Sequence, residues 1–334
     1  MKKKIYVIAE HSCGKISQVT FELLALAKQL QTLLPLPVEV LTLAKDVTEM
    51  AEEIAVSEGL DVTAFEIPEL GNYNGEIYRQ VLGDFFESEA PAFICTGHTA
   101  MGTDFAPGLA VRLGAANISN VRGIAEYENR ICLDRSVYNG ARIARVLPGT
   151  ETVVLNVQPG VFRLAETSPS RPGAVRILKE ECIPRKMRCT DIRPSENDPG
   201  TLSDADVVVS AGNGVRDEEN IALIHQLAEL FPKSAVGGSR VVCDRGWLTY
   251  GHQIGVTGVT VAPKLYIACG ISGAPQHLAG MSGSEFVVAI NTDVRASIMN
   301  EADVCVPEDL TIFIPAFINA CKAAMPASKK EHHD

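Results

Sequence analysis

The chain has 334 residues, 46% of them hydrophobic and 21% charged, a composition that suits a globular protein with two buried cores. Its formal net charge of −11, from 30 basic and 41 acidic side chains, argues against a nucleic-acid partner, which would call for a basic face against the phosphates. No run of about 18 apolar residues is present to span a membrane, and Met1-Lys2-Lys3-Lys4 passes straight into Ile5-Tyr6-Val7-Ile8-Ala9 without a signal peptide or Arg-rich leader, which predicts a bacterial or archaeal cytoplasm.

Apolar strands and amphipathic helices then alternate: strand 4–9, helix 17–34, strand 38–43, helix 48–56, strand 62–65, helix 75–88, strand 92–95 and helix 104–113. Such β-α repetition predicts a mainly parallel, doubly wound sheet. After Ser119 the pattern changes to short strands at 121–128, 131–137, 141–147, 152–157 and 175–181, expected to extend the sheet as antiparallel edges. Pro184, Pro194 and Pro199 lie among charged residues, with Pro172 shortly before, and read as a connector. The boundary is placed near residue 195, giving an N-terminal α/β domain at 1–194 and a second α/β domain at 195–334.

The second domain restarts with a strand at 206–210 and a helix at 217–231. Residues 265–269 form a buried strand that gives way to Gly270-Ile271-Ser272-Gly273-Ala274, whose small residues let a ligand approach the backbone. A helix follows from Pro275, and a helix start of this kind offers unpaired N–H groups and a positive dipole end to a phosphate. A second strand, 286–290, ends in Asn291-Thr292-Asp293, a polar cluster at the edge where open α/β sheets bind ligands. The last helix, 310–324, is amphipathic. The tail 329–334, with His332 and His333, reads as a disordered end and not as a metal site.

Nine cysteines, an odd count without a C-x-x-C pair, exclude a disulfide or metal framework as the first expectation. Cys95, Cys132, Cys269 and Cys305 fall in apolar strands and read as small buried hydrophobes. Cys182 and Cys189, flanking Pro184, read as exposed thiols without a role.

Further motifs are weaker alone. Gly212-Asn213-Gly214 follows a strand as a phosphate loop would, or as a plain turn would. Ser239-Arg240 opens a short helix, where a serine is an ordinary N-cap. Gly255-Val256-Thr257-Gly258 reads as a loop that presents a hydroxyl, and Asn291 and Asp309 are otherwise routine turn formers. His277 in an opening helical turn is unusual, because the positive helix end opposes imidazolium formation.

Together, Leu265 to Gly280 and Phe286 to Asp293, with the Gly212, Ser239, Gly255 and Val261-Ala262-Pro263 pieces, closely resemble the signature of the electron-transfer flavoprotein alpha subunit family, which binds FAD. The match covers most of the last third. The first half resembles the family in its pattern of elements, with weaker pieces such as Asn117-Ile118-Ser119-Asn120-Val121. The resemblance implies a C-terminal FAD-binding doubly wound domain and cofactor contacts at Asn213, Ser239, Arg240, Ile254, Gly255, Val256, Thr257, Ser272, Gly273, Ala274, Pro275, Gln276, His277, Asn291, Asp309 and Leu310. It implies that Ser239 holds the cofactor, that Arg240 lies against the flavin ring, that Thr257 approaches its N5 atom and that His277 points at its C2 carbonyl, with Asn291, Asp309 and Leu310 on the adenosine side. Two positions depart from the pattern: Asn213 replaces an arginine and Val256 a glutamine.

The resemblance further implies an electron carrier more than a turnover enzyme, in which the first domain docks a beta subunit to make a heterodimer. Electrons come from a dehydrogenase, as in fatty acid beta-oxidation, and pass to a quinone-linked or ferredoxin-type acceptor, with electron bifurcation left open. Two other readings stand beside it. One is an NAD-binding enzyme with a deoxyhypusine-synthase-like domain, which would require a nucleophile or base that the spacing does not offer. The other is a flavin-free assembly subunit, which Asn213 and Val256 would favour.

Overall fold

The computed structural model describes residues 3–324 except 13, 129, 139, 141, 164–168, 170, 183, 185, 188, 191–201, 203 and 204. It divides into two compact units, Met1–Arg193 and Pro194–Asp334. Most of the expected connector and the whole tail lie outside the described residues.

The first unit carries strands β1 (Lys4–Ile8), β4 (Val38–Ala44), β5 (Asp61–Glu66), β6 (Pro91–Gly97), β7 (Ala116–Tyr127), β8 (Arg130–Val137), β9 (Arg142–Val146), β10 (Val153–Val157) and β11 (Val175–Lys179), with β2 (His11–Ser12) and β3 (Lys15–Ile16) as a short hairpin after β1. They form one sheet in the order β11-β5-β4-β1-β6-β10-β7-β8-β9. Helices α1 (Gln18–Leu33), α2 (Thr48–Glu58), α3 (Gly75–Glu87) and α4 (Ala100–Leu113) follow β3, β4, β5 and β6. Strand alternation divides β1 between two cores: Ile5 and Val7 pack with Leu23, Leu24 and Ile54, while Tyr6 and Ile8 pack with Tyr78, Phe86 and Phe105. Both faces of the central strands are therefore covered, as a parallel sheet requires. Helix α4 starts earlier than expected because Thr99 caps it, its hydroxyl accepting from the Gly102 amide at 3.0 Å.

Strands β8 and β9 do extend the sheet as antiparallel edges. Strand β10 does not: it inserts between β6 and β7, parallel to both, and β11 adds parallel to β5 at the far edge. All five residues of β10 are buried, and two-sided burial belongs to a central strand. Its one polar residue, Asn156, donates from Nδ2 to Thr96 Oγ1 at 2.8 Å and to the Gly102 carbonyl at 3.1 Å, so the insertion leaves no unmet amide there. Two cysteine expectations are also reversed. Cys182 is buried, in the core beside α3 and α4, and Cys305 is exposed on its edge strand.

The second unit holds β12 (Val207–Ala211), β13 (Ser234–Gly238), β14 (Leu265–Cys269), β15 (Val287–Ile290) and β16 (Val304–Val306), all parallel, in the order β13-β12-β14-β15-β16. Helices α5 (Ile221–Ala228), α6 (Arg240–Asp244), α7 (Pro275–Met281), α8 (Ile298–Glu301) and α9 (Leu310–Ala324) complete it. The helix expected at 217–231 is shortened by a 3-10 turn over Glu218–Asn220. The chain leaves β12 for β13 on one side and returns to β14 on the other, so a crevice opens beyond the carboxyl ends of β12 and β14. Among the described residues no helix is long and apolar enough to cross a membrane, and no cluster of His, Cys, Asp and Glu is placed to hold a metal ion.

Glu22, on the buried face of α1, accepts from the Gly160 amide at 2.6 Å. Burial pushes its carboxyl up to about 7, against the opposing pull of that amide, the Val161 amide and Arg163. Between an ordinary carboxylate pKa and about 7 the folded chain thus keeps a proton that the unfolded chain releases, and stability falls as pH rises through this window. Glu22→Gln keeps an acceptor for Gly160 and removes the titration. Urea unfolding at pH 4.5 and pH 8 is expected to show the wild type losing about 2 to 3 kcal/mol more than the variant across that interval. Equal pH dependence in the two proteins would contradict it.

Candidate functional site

The crevice is built from loops that leave the carboxyl ends of the second unit's strands. The Gly212 amide donates to the Cys269 carbonyl at 2.8 Å and the Gly214 amide to the Gly270 carbonyl at 2.9 Å, which lays the loop after β12 directly on the loop after β14. A Cβ on Gly212 would come within 2.3 Å of the Gly270 oxygen, and one on Gly214 within 2.8 Å of the Gly270 Cα. Gly270 itself has φ +65°. These glycines are thus required by loop-on-loop packing, and Asn213 between them is exposed.

A second wall is stitched by backbone bonds. The Ser239 amide donates to the Ala211 carbonyl at 2.8 Å, that of Ile254 to Gly238 at 2.9 Å and that of Val256 to Gln276 at 2.9 Å. Gly255 has φ +147°, and its Cα side lies against Gly280 of α7, where a Cβ would meet the Gly255 nitrogen at 2.4 Å. The result brings Ser239, the loop 254–257 and the start of α7 to one edge. Val256, Thr257, Ser272, Ala274, Pro275 and Gln276 are exposed along it, while Ile254, Gly255 and Gly273 are buried backing. Asn291 closes the far side: its Nδ2 donates to the Ile271 carbonyl at 2.8 Å and its Oδ1 accepts from the Asp293 amide at 2.9 Å.

Ser239 precedes α6 in the N-cap position, yet its hydroxyl makes no capping bond. The Oγ atom is inaccessible to solvent and has no hydrogen-bond partner, so the N-cap explanation of this serine fails. A buried hydroxyl without a partner costs stability and suits a ligand that brings one. Arg240 is exposed, with Nε 3.4 Å from Asp244. Thr257 Oγ1 accepts from Nε2 of Gln253 at 2.9 Å. Gln253, only 5% exposed, is a supporting residue that sequence motifs do not reveal, since a lone glutamine in a loop carries no signal.

The resemblance expects the His277 ring to aim at a cofactor carbonyl. His277 is 6% exposed, with Nε2 2.8 Å from the buried Tyr266 hydroxyl and Nδ1 solvent-inaccessible and without a side-chain hydrogen-bond partner. Burial lowers its pKa to about 4, with the Ile254 backbone opposing weakly, so the imidazole is neutral at physiological pH.

Asp309 stands before α9. Its Oδ1 accepts from the Thr311 hydroxyl at 2.8 Å and the Thr311 amide at 2.9 Å, and its Oδ2 lies 3.1 Å from Arg216 Nη1. These partners, Thr311 first, hold its carboxyl below the usual range. Leu310 is buried in the core beneath.

A family model described as the electron transfer flavoprotein FAD-binding domain matches residues 201–282, and one described as the electron transfer flavoprotein domain matches residues 5–181. The electron transfer flavoprotein subunit alpha of Bacillus subtilis (strain 168) is 35% identical over 318 residues, covering 94% of this chain and 96% of that protein. The subunit of the same name from Megasphaera elsdenii is 34% identical over 327 residues, covering 96% of each. The lactate dehydrogenase (NAD(+),ferredoxin) subunit LctC of Acetobacterium woodii is 33% identical over 323 residues, covering 94% of this chain and 76% of that protein.

Because the folded pKa of His277 lies below an ordinary histidine value, the unfolded chain binds the extra proton first as pH falls. Its contribution is intact above about pH 6.5 and is lost progressively toward pH 4. The ring signals of His277 are expected to keep their neutral-form shifts at pH 5.5, and His277→Asn to flatten acid destabilisation of the second unit. A ring that titrates near pH 6.5 would contradict the buried placement.

Proposed function

The chain belongs to the electron transfer flavoprotein alpha-subunit family, and we propose on that premise that it is the FAD-carrying chain of a two-chain electron carrier. The cofactor is FAD, the ligand of the matched C-terminal domain. The observation that carries the proposal is the coincidence of that domain with a crevice edge that contains Ser239, whose inaccessible hydroxyl is left without a protein partner.

The residues present suit such a group. The small-residue stretch Ser272-Gly273-Ala274 and the opening turn of α7 offer backbone to an extended dinucleotide, with Pro275 and Gln276 exposed beside it. Ser239 would supply a hydrogen bond, Arg240 an exposed cation, and Thr257 a hydroxyl oriented by Gln253. Asn213, Ile254, Gly255, Val256, Asn291, Asp309 and Leu310 would line or back the same edge. His277 would bring a neutral ring, bonded to Tyr266 through Nε2 and with Nδ1 left without a side-chain partner. FAD supplies the one- and two-electron redox chemistry that no side chain here provides. The protein's share is to bind it, exclude water from it and set the electrostatics around it.

The first unit would dock a beta subunit. A dehydrogenase donor is supported by the name of the Acetobacterium woodii relative, a lactate dehydrogenase subunit, and the acceptor would be a quinone-linked or ferredoxin-type protein. The NAD-enzyme reading has no comparable support, since the matched second domain is FAD-binding.

Co-expression with a beta subunit is expected to yield a yellow complex with one FAD bound by this chain's second unit, whereas the chain alone should be flavin-poor. Absorption at 450 nm against protein content measures this. A colourless complex would favour the flavin-free assembly subunit, and a lone monomer that keeps stoichiometric FAD through gel filtration would contradict the need for a partner.

A further inference from the structure

The loop after β12 contains one residue whose backbone is in a disfavoured conformation. Arg216 has φ +70° and ψ −52°, and the Asp217 amide donates to the Val215 carbonyl across it at 2.9 Å. This is a three-residue turn of the strained, positive-φ kind, which glycine would adopt without penalty. A residue with a side chain persists at such a point where the surrounding structure imposes it and the side chain is used.

The side chain reaches Asp309, Nη1 to Oδ2 at 3.1 Å, and Thr311 fixes the other carboxylate oxygen. The bond ties the loop after β12 to the start of α9, two segments that meet at the carboxyl edge. The guanidinium side chain remains 60% exposed, and this pair engages one of its donors. An ion pair so open to water adds little to stability, so the fold alone does not account for the strain.

Arg216 is the one basic residue between β12 and α5, and Asp217, Glu218 and Glu219 follow it, so the loop is net acidic and this guanidinium is its one source of attraction for an anion. Position 213, three residues earlier, holds an uncharged asparagine. The crevice beyond β12 and β14 is where open sheets receive phosphates, and a planar guanidinium suits a diphosphate better than an ammonium does.

We propose that Arg216, held in position by Asp309, is an FAD-binding residue that contacts the diphosphate and supplies the cation that position 213 lacks. This rests on the reading of the second unit as an FAD domain. It adds to that reading a residue, a ligand group and a salt dependence.

The test is FAD dissociation from the full chain with its co-expressed partner, measured from about 50 mM to about 1 M salt. Arg216→Gly relieves the backbone strain and removes the charge. Arg216→Gln, which keeps length and hydrogen bonding without charge, serves if the glycine variant fails to fold. At low salt both are expected to bind FAD about tenfold more weakly than the wild type, converging on it at high salt. Arg216→Lys should fall between. Equal affinity at every salt concentration, or the same loss at every salt concentration, would overturn the inference and leave Arg216 a structural tie. A wild-type complex that takes up no FAD would instead defeat the underlying reading, and the inference with it.

Discussion

The constraint on which the second unit depends is the backbone contact between the loops after β12 and β14. With the Gly214 amide on the Gly270 carbonyl and no room for a Cβ at 212, 214 or 270, the two strand ends are held closer than side chains would permit. That closeness fixes the floor of the crevice. The second wall, from Ser239 through 254–257 to α7, is joined to the same floor by the Ser239 bond to Ala211 and the Ile254 bond to Gly238. A methyl group at any of the three glycines would push apart the strand ends that define the site, with consequences well beyond the loop it entered.

Polar groups are distributed around this floor according to solvent access. The exposed edge carries Thr257, Ser272 and Gln276, while the groups behind it are neutral or unpaired: a histidine kept uncharged by burial, a tyrosine bonded to it, and a serine hydroxyl with no protein partner. Buried polar atoms without partners are uncommon in folded proteins. One that sits where a ligand-binding edge is expected has an economical explanation in the ligand itself. Charge is kept to the rim, at Arg240 with Asp244 and at Arg216 with Asp309, where water screens each pair and leaves the guanidinium groups available.

Much of this was legible in the sequence, and the exceptions have physical causes. Strand β14 and helix α9 fall where periodicity places them, because local pattern and burial agree there. Sequence alone places strand β10 at an edge, because a short apolar run looks alike in an edge or a centre and only its neighbours β6 and β7 decide. The proline-rich context of Cys182 suggests exposure, but the chain folds it against α3 and α4. In sequence Ser239 reads equally as a cap or a ligand contact, and only the folded structure shows that it caps nothing. The bond that holds the His277 ring comes from Tyr266, in a strand eleven residues earlier, a tertiary contact that motif spacing does not encode. Gln253 and Arg216 belong to the same class, side chains whose meaning comes from what they touch.

The central claim is that FAD lies along the carboxyl edge of the five-stranded sheet. Amide hydrogen exchange of the complex with and without FAD tests it most directly, because the loops at 212–216, 254–257 and 272–277 should exchange more slowly with the cofactor bound while the β7, β8 and β9 ribbon of the first unit is unaffected. Protection that appeared only in the first unit, or none at 254–257 and 272–277 with FAD fully bound, would contradict the account.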